Sequence, residues 1–300
     1  MRKKLIIPLL IIFIGGFLGY KGPSIKSKYQ INNKELVSYI FNEALPKSNK
    51  TPLLKDTIDN ITNYYDDTTN LLNSNLQTEP TIQEEQVIKK EEKEIEPTIY
   101  LYNTHQTEEY QTSTILDQNI KPTVMIGNYI LEELFNTYNY KSYVEEESIK
   151  EILNNNRWSY SYSYLASRHF LEKRIKEMPS LKYFIDIHRD SLTKDKTTVI
   201  IGNKSYAKLL FLIGLDNPNY QENLRFTESI NNKLNEKYPS LSKGIYKKGG
   251  PGVNGVYNQD FSPYVILIEV GGYENTPIEV LNSLIAFSEC FMEVINYEIK

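Results

Sequence analysis

The chain has 300 residues, 38 of them acidic and 34 basic, for a formal charge of −4, and its one cysteine is Cys290. Binding that rests on displacing counterions from nucleic acid needs a basic footprint, which this composition lacks, so nucleic acid is excluded as a partner. One cysteine also excludes a disulfide scaffold and a zinc site of four cysteines, or of two cysteines with two histidines; a metal here would need histidine and carboxylate ligands.

Arg2, Lys3 and Lys4 precede an uncharged, largely apolar run from Leu5 to Tyr20, the layout of a signal sequence or an N-terminal membrane anchor. At ~1.5 Å per residue the run reaches roughly 24 Å, short of a ~30 Å hydrocarbon core, so it spans only with help from its flanks. Gly22-Pro23-Ser24 is a poor cleavage site because of its proline, and no cysteine follows for lipid attachment. An uncleaved single-pass anchor over residues 1–22 is therefore expected, with the rest of the chain outside the cytoplasm, although Lys21, Lys26 and Lys28 blunt the charge asymmetry that would orient it.

Residues 23–76 are polar and rich in asparagine, with Leu36, Ile40, Phe41 and Leu45, then Ile58, Ile61 and Tyr65, at helical spacing, which predicts a helical stalk. Residues 77–97 mix Glu, Lys, Gln and Thr without an aromatic residue; such a stretch buries too little apolar surface to offset its ordering entropy and reads as a disordered linker. A solvated Glu/Lys helix is the competing reading.

Past Pro97, in residues 98–300, apolar strands alternate with amphipathic helices. Strands are predicted over 98–103, ending at Val144, and over 182–188, 197–201, 209–214 and 265–270; helices are predicted over 124–138, 164–178, 220–238 and 277–297. The alternation predicts one α/β domain of three layers, a mixed or parallel sheet with helices on both faces, and in such folds ligands bind beyond the carboxyl ends of the strands.

Reactive side chains fall at those ends. His105 follows the first strand with Glu108 and Glu109 close behind, His188 closes the run Lys182-Tyr183-Phe184-Ile185-Asp186-Ile187-His188, and Glu269 comes near the end of the last strand. Two histidines and one glutamate would give a hydrolytic zinc its three protein ligands and leave a position open for water. Burial at a strand end raises a carboxyl pKa and suits Glu269 to be a general base; the structural alternative is a salt bridge to Arg189. His169 lies inside a helical pattern without such company. No Gly-x-Ser-x-Gly elbow occurs, and Gly249-Gly250-Pro251-Gly252 lacks the lysine and hydroxyl of a phosphate loop, so it reads as a flexible loop.

Five segments, in order, carry a family resemblance: Asn103 to Glu108; Pro179 to Lys182 leading into Ile185 to Ser191; Asn217 to Leu224; Tyr257 to Pro263; and Ile268 to Gly272 followed by Asn275-Thr276. Over about Thr98 to Tyr297 the chain resembles the stage II sporulation protein P family of membrane-anchored zinc peptidoglycan amidases. It departs where family members often read His-Thr-His and this chain reads Asn103-Thr104-His105.

The resemblance implies a fold like that of zinc-dependent N-acetylmuramoyl-L-alanine amidases. It implies zinc held by His105, Glu108 and His188, with Glu109 and Glu145 to Glu147 as competing carboxylates, and Glu269 as the catalytic carboxylate. It also implies a linked stem-peptide endopeptidase activity, stage II sporulation proteins D and M as partners, and a role in septal wall thinning and engulfment. In this mechanism Arg189 steadies the oxyanion or a substrate carboxylate, and Asp186 or Asp190 orients a ligand imidazole. The alternatives are a catalytically silent wall-binding scaffold and a zinc peptidase acting on protein or stem peptide alone.

Overall fold

The computed structural model describes residues 32–44, 95–115 and 118–298. Among these, no helix is long and apolar enough to cross a membrane. The expected anchor, most of the stalk and nearly all of the linker lie outside the described residues.

A six-stranded sheet organises the domain. Its strands are β1 (Ile99–Tyr102), β4 (Ser142–Val144), β5 (Tyr183–Asp190), β8 (Leu209–Gly214), β9 (Ser242–Lys248) and β10 (Val265–Gly272), in the spatial order β4-β1-β5-β10-β8-β9. All neighbours run parallel except β10 and β8, so the sheet is mixed. Helices cover both faces, giving a three-layer α/β domain.

Strand alternation sorts the two faces. Ile185 and Ile187 of β5, with Ile266, Ile268 and Val270 of β10, point into the main core. That core is closed by α2 (Met125–Thr137), α5 (Tyr220–Lys237) and the long, largely buried α6 (Pro277–Glu298). Phe184 of β5, with Tyr100 and Tyr102 of β1, faces α4 (Ser163–Glu177), behind which packs the short α3 (Ile149–Asn156). Asp186, His188, Leu267 and Glu269 belong to this second face by the same alternation.

The helix starts follow local chemistry. At α6 the Thr276 hydroxyl accepts from the Glu279 backbone N–H while the Glu279 carboxylate accepts from that of Thr276, a reciprocal cap preceding Pro277 in the first turn. Ser148 caps α3 in the simpler way, accepting from the Glu151 backbone.

Several elements depart from the sequence reading. The strand expected over 197–201 is β6 (Thr198–Ile201), but it pairs only with β7 (Lys204–Ala207) in a separate hairpin beside the main sheet. Another hairpin, β2 (Ser113–Ile115) with β3 (Gln118–Ile120), along with α3 and β9, had no clear apolar period. The glycine segment is pinned by Asp216, whose carboxylate accepts from Gly250 N–H while its own backbone N–H donates to the Gly255 carbonyl. Gly255 has φ +73°, and a Cβ there would meet Asp216 Oδ2 at 1.8 Å, so no other residue fits.

The stretch read as a stalk opens with α1 (Asn33–Ala44), and this helix is seated on the domain. Leu36, Val37 and Phe41 are buried in the main core, and the Asn33 side chain donates to Thr123 Oγ1 at 2.9 Å. A stalk helix standing clear of the domain would tolerate Leu36→Ala at almost no cost. Seated as it is, the substitution should destabilise the domain by about 2–5 kcal/mol in a denaturant melt.

Candidate metal centre and active site

β1 and β5 end side by side and bring His105 and His188 together. One ligand atom from each of His105, Glu108 and His188 lies within 4.8 Å of the others. Glu108 sits between the rings, with Oε1 3.5 Å from His105 Nδ1 and Oε2 3.8 Å from His188 Nδ1. The turn after β1 makes this possible: the Glu108 backbone N–H bonds to the His105 carbonyl, and the Arg189 backbone N–H donates to Glu108 Oε2 at 3.1 Å.

The competing carboxylates are engaged elsewhere. Glu109 pairs with Lys121, and Glu146 with Lys34. Glu145 and Glu147 belong to a cluster around Arg174 near the β4 edge. Of the two aspartates considered for orienting an imidazole, Asp190 is held by Lys243 at 2.8 Å. Asp186 is the one beside the ring, its Oδ1 3.1 Å from His188 Nε2 though off the line a hydrogen bond requires. Asp186 is itself fixed by the Thr104 N–H and hydroxyl.

Glu269 is the register partner of His188 on the neighbouring strand, so the two side chains rise from the same face. Its Oε2 is buried without a hydrogen-bond partner. The Arg189 salt bridge considered as the structural alternative is not formed: Arg189 Nε and Nη1 donate to the carbonyls of Glu109 and Asp190. Arg189 nevertheless borders the same cleft. That cleft, about 500 Å³, runs from His105, His188 and Glu269 across β8 to Tyr246 and Lys248 of β9, beside the turn containing Gly252.

Electrostatics favour a cation here. Burial pushes the Glu269 carboxyl up to about 7 against the opposing pull of His188. Burial by itself would lower the His188 imidazole, but the carboxylates of Asp186, Glu269 and Glu108 prevail and hold it at about 9. Glu108 goes the other way: burial would raise it, but hydrogen bonding from His105, the charge of His188 and the Arg189 backbone keep it below the usual carboxylate range. Two histidines and a carboxylate are a zinc-type donor set, and the acids around a buried ring stabilise the positive charge that a metal would bring in place of the proton. The residues fit a divalent metal.

A pH dependence follows for the metal-free chain. Both His188 and Glu269 bind protons more tightly folded than unfolded, so their contribution is lost as pH rises, across about 4.5 to 7 for Glu269 and about 6.5 to 9 for His188. Thermal melts of chelator-treated protein should show a lower midpoint at pH 9 than at pH 6, and added zinc should narrow that gap.

Asn103, where the resemblance departs, faces away from the cluster. Its Nδ2 donates to the Ile187 carbonyl at 2.7 Å and its Oδ1 accepts from Asn128 Nδ2 at 2.7 Å, so it ties β1 to β5 and α2. His169 is exposed on α4. Missing from the sequence reading was Tyr164, on the first turn of α4, which stacks on His188 with centroids 6.3 Å apart and meets His105 edge-on at 5.6 Å. Only the run of aromatics at 158–164 hinted at it.

The stage II sporulation protein P family profile matches residues 18–292. The chain belongs to this family. It is 33% identical over 202 residues to stage II sporulation protein P of Bacillus subtilis, a match covering 65% of this chain and 50% of the relative, so the chain spans about half that protein's length. Among solved structures, it is similar to the CwlD amidase of Clostridioides difficile, solved in complex with the GerS lipoprotein, at 11% identity and TM-score 0.43 over 67% of this chain and 99% of that one. Cwp6 of Clostridium difficile is similar at 13% identity and TM-score 0.42, over 68% of this chain and 30% of that one.

Proposed function

We propose that this chain is a zinc-dependent peptidoglycan hydrolase that cleaves the amide between N-acetylmuramic acid and L-alanine. The observation that carries the reading is the His105, Glu108 and His188 donor set lying beside the buried, unpartnered Glu269 carboxylate in one cleft. Family membership supports a place in sporulation, for which we propose septal wall thinning and engulfment, with a linked activity on crosslinked stem peptides. Stage II sporulation proteins D and M are the proposed partners. The proposed setting is the outer face of the cell membrane, held there by residues 1–22, with 98–300 as the catalytic domain.

His105, Glu108 and His188 would hold the zinc, which when bound would supply Lewis acidity toward a water and an amide carbonyl. Glu269 takes the proton of the attacking water and returns it to the departing L-alanine nitrogen, a task suited to a carboxyl poised near neutrality. Asp186 lies beside the far nitrogen of the His188 ring and favours its positive charge, and the Arg189 backbone steadies Glu108. Arg189 meets the oxyanion or a substrate carboxylate from the edge of the cleft.

Metal analysis and muropeptide mass spectrometry test the reading together. Purified chain should carry about one zinc per molecule, and digestion of sacculi should yield free sugar strands and intact stem peptides. His188→Ala should lose both zinc and activity. Substoichiometric metal together with wild-type function in that variant would point instead to a silent scaffold; cleavage within stem peptides alone would point to a peptidase.

A further inference from the structure

The segment between α3 and α4 exposes a group of aromatic rings that the chemistry above does not use. Residues 158–167 read Trp-Ser-Tyr-Ser-Tyr-Ser-Tyr-Leu-Ala-Ser, an uncharged stretch between Arg157 and Arg168. Tyr160 is 54% exposed and Tyr162 49% exposed. Each ring is braced on one side. Tyr160 stacks on His105 with centroids 4.8 Å apart at 24°, and Tyr162 stacks on Trp158 at 5.7 Å and 26°, while Trp158 packs on the small cluster of Ile149, Leu153 and Phe170.

Exposed apolar patches of this kind mark interaction sites. Braced planar rings lose little conformational freedom on binding and offer a flat apolar face beside polar hydroxyls. A pyranose ring matches that surface, with axial C–H groups for the ring face and equatorial hydroxyls for the serines. Charge points the same way. A sugar strand whose muramic carboxyls are tied up as amides is neutral, like this segment, whereas a stem peptide is acidic. Cations suited to such a peptide, Arg189 of β5 and Lys248 of β9, line the cleft away from this segment, Lys248 four strands across the sheet from β1.

We infer that Trp158, Tyr160 and Tyr162 form a glycan subsite that seats the sugar strand next to the metal ligands, leaving the peptide to run across β8 toward Lys248. The inference rests on the peptidoglycan reading and adds the direction in which substrate lies.

Trp158 is the chain's one tryptophan, so its emission reports on this patch alone. The full chain, in a detergent without sugar head groups, is titrated with chitotetraose and separately with a free stem pentapeptide. Chitotetraose should change the emission saturably, Tyr162→Ala should weaken binding roughly tenfold, the scale of one lost ring contact, and Tyr162→Phe should keep it. No response to the sugar, equal affinity in Tyr162→Ala, or a response to the peptide alone would overturn the inference. Binding needs neither metal nor turnover: chitotetraose binding by a chain that cleaves no sacculi would sink the amidase reading and leave the subsite standing, and cleavage without sugar binding would do the reverse.

Discussion

Glu269→Gln is expected to lower turnover on sacculi by about 10²–10⁴-fold, the usual contribution of a positioned proton-transfer group, while zinc content stays at the wild-type level. Glutamine keeps the shape and much of the volume of the side chain but can neither take up a proton nor carry charge. It also removes a carboxylate whose ionisation burial disfavours, so the fold should tolerate the change. The decisive measurement pairs muropeptide release with metal analysis on the same preparation. Loss of zinc in parallel with activity would make Glu269 a ligand; unchanged activity would remove it from the chemistry.

Arg174→Ala should destabilise the fold by about 3–5 kcal/mol, because it strands a buried carboxylate. Glu145 is 1% exposed; Arg174 grips it with two nitrogens, at 2.7 and 3.1 Å, and the Tyr100 hydroxyl donates to it at 2.9 Å. Arg174 also reaches Glu177 at 2.7 Å and pairs with Glu147, so one guanidinium ties α4 to the β4 edge. Lysine should not rescue, since it cannot reproduce the fork. Arg174→Met combined with Glu145→Gln should recover much of the loss, because both charges then leave the interior together. Denaturant melts read the effect, and zinc content should be unchanged in the folded fraction, since this cluster is separate from the proposed metal ligands.

The same cluster shows why parts of the site were legible in the sequence and parts were not. His105 and His188 stand out because a strand end is readable from an apolar run and the chain has only three histidines. Choosing Glu108 over Glu109 or Glu145 to Glu147 required knowing where the cations lie, and Lys121, Lys34 and the adjacent pair Lys173 and Arg174 come from three separate places in the chain. Asp186 over Asp190 was hidden for the same reason: Lys243 arrives from β9.

The fold divides along similar lines. β5 and β10, buried on both faces, announce themselves as continuous apolar runs. β9, an edge strand reading Ser-Lys-Gly-Ile-Tyr-Lys-Lys, keeps only half its surface against the protein and has no such signature. For α1 the apolar stripe was visible, but a stripe shows only that a helix has an inner face and leaves open what it packs against.

The seat of α1 bears on where the folded body can be cut. Leu36, Val37 and Phe41 fill the same core as the sheet, so a chain cut to start at residue 95 would leave one side of that core open to water.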